Sequence, residues 1–125
     1  MCDFSVIQPV LEYACSVWHS GLTTGQSDTL ESLQKRALKI IFCDIDYQMS
    51  LILAGLDTLY SRRELILQSF YKQNIVHSSS CLNYLLPEQR DFVNKLRRAN
   101  KYELVLARTE QYRNSCIPYC VSNFR

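Results

Sequence analysis

Hydrophobic positions along the chain recur at three-to-four spacing for most of its length, the period of an amphipathic helix. Val6, Ile7, Val10, Leu11, Ala14, Val17 and Trp18 predict one largely buried helix over Phe4 to Trp18. Pro9 lacks an amide, so it must either kink that helix or sit near its start. His19-Ser20-Gly21-Leu22 breaks the pattern. Thr23 and Gln26 then have the form of a capping box. The helix they open is predicted to run to about Phe42, with Leu30, Leu33, Ala37, Ile40 and Ile41 inward and Glu31, Lys35, Arg36 and Lys39 outward. Glu31 and Lys35 stand in the favourable i,i+4 order.

Asp44-Ile45-Asp46 predicts a second cap, a short helix over Tyr47 to Ala54, and its termination by a left-handed Gly55. Thr58 caps the next helix, Leu59 to about Val76, whose core stripe is Leu59, Ile66, Leu67, Phe70 and Tyr71. Arg62, Arg63 and Lys72 are expected to point away from it. His77-Ser78-Ser79-Ser80 is a polar break, and Leu82, Leu85 and Leu86 allow one more turn before Pro87. Beyond Pro87 the pattern weakens. Gln89 to Ala99 allows a helix whose only large apolar groups are Phe92, Val93 and Leu96. Tyr102 to Ala107 reads as a short strand or an extended loop. Tyr112 to Phe124 is aromatic-rich and predicts a final short helix with Pro118 in its first turn.

Composition agrees with helices. The 125 residues are 47% hydrophobic with a net charge of +2, which argues against disorder. Three Gly and three Pro are too few for a many-turned sandwich or barrel. The expected fold is all-α: a single domain over 1–125, a small bundle of four to five helices over 1–76 and an irregular, basic C-terminal extension over 77–125. Nothing at the start has the basic and apolar sequence of a secretory signal, and Val6 to Trp18 is too short to span a bilayer. The six scattered cysteines contain no CxxC pair and read as free thiols, so an intracellular setting (nuclear or cytoplasmic) without membrane attachment is expected.

Charge is unevenly spread. Residues 1–60 hold three basic and seven acidic side chains (−4), whereas residues 61–125 hold eleven and five (+6). Lys95, Arg97, Arg98, Lys101, Arg108 and Arg113 are interleaved with Tyr102 and Tyr112. Such a stripe suits a phosphate backbone with rings for base stacking, and it equally suits a solvated face. Candidate catalytic chemistry fails on inspection. Cys116 and Cys120, at i,i+4, lack histidines at ligand spacing, so they read as structural thiols and no metal or other cofactor is expected. Asp44 and Asp46 lack a third carboxylate and a phosphate-cradling loop, so they read as caps. Trp18 beside His19 reads as a core anchor or a stacking pair.

Several segments resemble a known family. Gln8-Pro9-Val10-Leu11-Glu12-Tyr13-Ala14-Cys15-Ser16-Val17-Trp18-His19 resembles the segment downstream of the polymerase core in non-LTR (LINE-like) retrotransposon reverse transcriptases. Ser32 to Ile41 (SLQKRALKII), Leu53 to Leu59 (LAGLDTL) with Arg62-Arg63-Glu64, Leu85-Leu86-Pro87, Arg108-Thr109-Glu110 and Tyr112 to Pro118 (YRNSCIP) are similar to the motifs that follow, in the same order. The chain departs from the pattern at Asp57, where the family has Pro, and at Cys116, where it has Phe. It also stops at Arg125, about where the family often continues to a Trp-Asn pair. The resemblance implies the thumb-side and C-terminal helices of an RNA-directed DNA polymerase. The family's palm carries paired aspartates, and no Asp-Asp occurs here. It therefore implies a non-catalytic, nucleic-acid-contacting piece, with RNA or DNA backbone and the missing palm domain as partners. Lys35, Arg36, Lys39, Arg62 and Arg63 join the C-terminal basic residues as backbone-contact candidates. A structural relic or protein-interaction module is the alternative.

Overall fold

The computed structural model describes residues 2–89, 102–104 and 106–124, with side chains from residue 6 onward. These residues form a small all-α fold: α1 (Cys2–Glu12), α2 (Cys15–Trp18), α3 (Thr24–Ile41), α4 (Tyr47–Ala54), α5 (Leu59–Phe70), α6 (Glu110–Arg113) and α7 (Cys116–Asn123). A π turn, Tyr71–Ile75, extends α5, and 3₁₀ turns cover His19–Gly21 and Asn83–Leu85. No strand occurs among the described residues; Tyr102 makes one isolated antiparallel bridge with Gln89, so Tyr102–Ala107 is loop rather than strand where it is described. No helix among them is long and apolar enough to cross a membrane. The helix expected over Gln89 to Ala99 lies outside the described residues but for Gln89.

The first predicted helix is two. Pro9 leaves one carbonyl of α1 without its amide partner, and α1 ends three residues later. Ala14 then turns left-handed (φ 49°). The Trp18 indole N–H donates to the Tyr13 carbonyl across the break (2.9 Å). This turn changes the face that α2 buries. Cys15 goes inside, whereas Val6, Val10 and Val17, expected in the core, are each about 70% exposed.

The Thr23–Gln26 capping box forms as expected and starts α3. Its buried face is shifted from the predicted one. Gln34 and Leu38 are buried and Glu31 is partly so, while Leu33, Ile40 and Ile41 are exposed. Polar bonding sets this register. The Glu31 carboxylate accepts from the Leu59 amide at the start of α5 (3.0 Å) and from the Tyr47 hydroxyl. The Gln34 amide donates to the Asp57 carbonyl (3.2 Å) and to Tyr47 (3.3 Å). Glu31 thus ties three helices together, and its outward i,i+4 pairing with Lys35 does not form.

Helix α4 has its predicted limits, with Asp46 accepting from the Gln48 amide and Gly55 at φ 65°. Thr58 caps α5. The main core lies where α5 and the π turn meet α7: Leu67, Tyr71, Ile75, Tyr102, Cys120, Val121 and Phe124 are buried together, with Phe70, Leu82, Leu86, Ile117 and Tyr119 packed against them. The core therefore draws on both the 1–76 and the 77–125 segments.

Candidate functional site

Two groups of polar residues stand out, one buried and one facing solvent. In the buried group, Arg63 is fully inaccessible. Its Nε donates to His19 Nδ1 (3.3 Å) and its Nη2 to Ser27 Oγ (3.0 Å), and the guanidinium lies 5.7 Å from the Trp18 ring. Because Nδ1 accepts, the ring proton sits on Nε2, which donates to Glu64 Oε2 (2.8 Å). The Tyr119 hydroxyl also donates to Glu64 (3.2 Å), bringing α7 into the network. Burial pushes the Arg63 guanidinium below its ordinary range, and it pushes the Tyr119 hydroxyl up, helped by the Glu64 charge.

This geometry corrects two assignments. Arg63 has no surface to offer a phosphate; it is the polar centre of the junction among α2, α3 and α5. Its neighbour Arg62 clamps α5 to α1, with Nε 2.5 Å from Glu12 Oε1 and Nη2 3.3 Å from Oε2. The Glu12 hydrogen bonds hold the Arg62 guanidinium above its usual range. Trp18, the anchor of this region, covers Arg63.

The solvent-facing group lies on α3. Lys35, Arg36 and Lys39 are all exposed. Among the described residues, none of the three has a carboxylate within ion-pair distance, and Lys35 Nζ lies 5.8 Å from the Tyr47 ring centroid. Arg108 is exposed in the loop before α6, and Arg113 pairs with Glu110 within α6 (3.0 Å). Lys95, Arg97, Arg98 and Lys101 lie outside the described residues.

Beside the α3 cations is a recess of about 220 Å³ between α3 and α4. Lys35, Leu38, Lys39, Asp44, Ile45, Asp46, Tyr47 and Ser50 line it. Asp46 spends one carboxylate oxygen on the α4 cap (3.3 Å to the Gln48 amide). Asp44 is exposed, in the left-handed conformation (φ 67°), and its carboxylate makes no hydrogen bond or ion pair among the described residues. Sequence reasoning saw these aspartates as caps, which fits Asp46, and missed that the loop folds back beside the α3 lysines. The lysine–carboxylate spacing across Phe42–Cys43 carried no such signal.

Cys116 and Cys120 sit one turn apart on α7, and the Cys120 thiol hydrogen-bonds Cys116, holding it below the ordinary thiol range while Cys120 is pushed up. Among the described residues no cluster of three or more His, Cys, Asp or Glu could hold a metal ion. Comparison with known proteins finds no matching family, no similar curated protein and no matching solved structure.

Proposed function

We propose that this chain is a non-catalytic, thumb-like piece of a non-LTR retrotransposon RNA-directed DNA polymerase, which holds nucleic acid through the solvent face of α3. The observation that carries the contact surface is the row Lys35, Arg36 and Lys39: three exposed cations within five residues, free of carboxylate partners among the described residues. A cation already paired with an acid gains little from a phosphate, whereas a free one exchanges small counterions for the backbone. Arg108 supplies a further exposed cation. The polymerase origin is supported by the ordered motif resemblance across most of the sequence. Contacts of this kind position a strand without reading its sequence.

The test is fluorescence anisotropy at low salt with short single-stranded RNA and DNA, comparing the parent chain with K35Q/R36Q/K39Q. Glutamine keeps helix propensity and removes charge. The variant is expected to lose most of the binding while its helical circular dichroism is unchanged. Equal binding by the two proteins overturns the α3 assignment.

A second reading is favoured by a separate observation. Val6, Val10, Tyr13 and Val17 expose apolar groups along α1 and α2, a surface suited to a protein partner. A chain that is inert to nucleic acid at low salt supports this alternative.

A further inference from the structure

Resting on the reading of α3 as the nucleic-acid face, we infer that the recess between α3 and α4 takes an unpaired guanine base, with its Watson–Crick edge on Asp44 and the flanking phosphates on Lys35 and Lys39.

The charge pattern of the recess carries the argument. A simple phosphate cradle needs only cations, and carboxylates beside it repel the backbone. Here two carboxylates stand beside two lysines, none of them joined in an ion pair among the described residues. The complementary ligand must offer hydrogen-bond donors to an acid within reach of negative charge for the lysines. A nucleotide with a donor-rich base edge does both.

Guanine alone presents two adjacent donors, N1–H and the N2 amino group, which match the two oxygens of one carboxylate. Adenine and cytosine put a ring acceptor beside their amino group, and uracil flanks N3–H with two carbonyls. Each of these would set an acceptor against Asp44. The Asp44 carboxylate is uncommitted, so accepting a base breaks no bond of the fold. Ile45, exposed at the rim, offers apolar surface to a face of the ring, and about 220 Å³ is below the volume of pockets for drug-sized ligands, as a single ring system requires. Unpaired bases are the ones whose Watson–Crick edges a protein can reach.

The experiment measures anisotropy of labelled uridine-rich single strands carrying one central guanosine, inosine, adenosine or cytidine, and of a uridine-only strand, with the parent chain and with Asp44→Asn. Asparagine tolerates the left-handed backbone at position 44, so the fold is kept. The guanosine strand is expected to bind about tenfold more tightly than the others, the discrimination of one bidentate base contact. Inosine, which lacks the N2 amino group, is expected to lose most of that advantage, and D44N should erase it while leaving the uridine-only strand bound. Equal binding of all strands by the parent chain overturns the guanine site and leaves the α3 contact standing. Retention of the preference in D44N overturns the role of Asp44. Failure of every strand to bind at low salt removes the α3 reading together with this one.

Discussion

Replacing Arg63 separates packing from polarity in the buried network. Its side chain is fully inaccessible, and its Nη1 finds no acceptor among the described residues. Three methylenes of the stem are buried, contributing about 2.4 kcal/mol at about 0.8 kcal/mol each. The bonds to His19 and Ser27 and the contact with the Trp18 ring favour the folded state, but taking the guanidinium out of water costs several kcal/mol, so the polar balance is close to even. Arg63→Ala loses the stem and leaves a cavity, and about 3 kcal/mol of destabilisation is expected. Arg63→Met keeps most of the stem and is expected to cost about 1 kcal/mol or less. The measurement is urea unfolding followed by circular dichroism, with thermal midpoints as a check; for a chain of this length 3 kcal/mol corresponds to a fall of about 10 °C. If methionine proves as damaging as alanine, the polar bonds dominate and this balance is wrong. If alanine costs under about 1 kcal/mol, Arg63 is not buried in solution and returns to the pool of ligand-binding cations.

Thr23→Ala removes one half of the α3 capping box, and a loss of about 1 kcal/mol is expected in the same unfolding assay. Burial holds the Tyr71 and Tyr47 hydroxyls up to about 12, the second also through its bond to Glu31. Unfolded tyrosine ionises near 10, so between the two values the unfolded chain has released protons that the folded one keeps. Stability is thus intact below about pH 10 and falls as pH climbs toward 12, read as a shrinking urea midpoint alongside tyrosinate absorbance. Cys120→Ala removes the thiol donor that favours the Cys116 thiolate, so labelling of Cys116 by iodoacetamide at neutral pH is expected to slow.

The helices whose limits are set by local chemistry were legible in the sequence. The Thr23–Gln26 box, the Asp46 cap and Gly55 each act within one turn, and α3 and α4 begin and end where those residues direct. Facing was less legible, because it depends on partners far along the chain. On α3 the apolar count favoured Leu33 and Ile40, yet the buried side is set by Glu31 and Gln34, whose acceptors and donors lie in α4 and at the start of α5. The break at Ala14 had a signal in Pro9, but the left-handed turn that rotates Val17 outward had none. Arg62 and Arg63 look alike as sequence, and only Glu12 and His19, over forty residues away, turn them into structural groups. At the candidate site the α3 cations were visible from their spacing, whereas the recess beside them needs the fold of the Asp44 loop.

The most direct test of the nucleic-acid reading is the salt dependence of single-strand binding by the full chain. Three phosphate contacts from Lys35, Arg36 and Lys39 give a slope of about −2 in log affinity against log salt, at about −0.7 per contact. Removing those charges should bring the slope close to zero. A slope near zero for the parent chain, or an unchanged slope in K35Q/R36Q/K39Q, would contradict the claim that α3 grips the backbone.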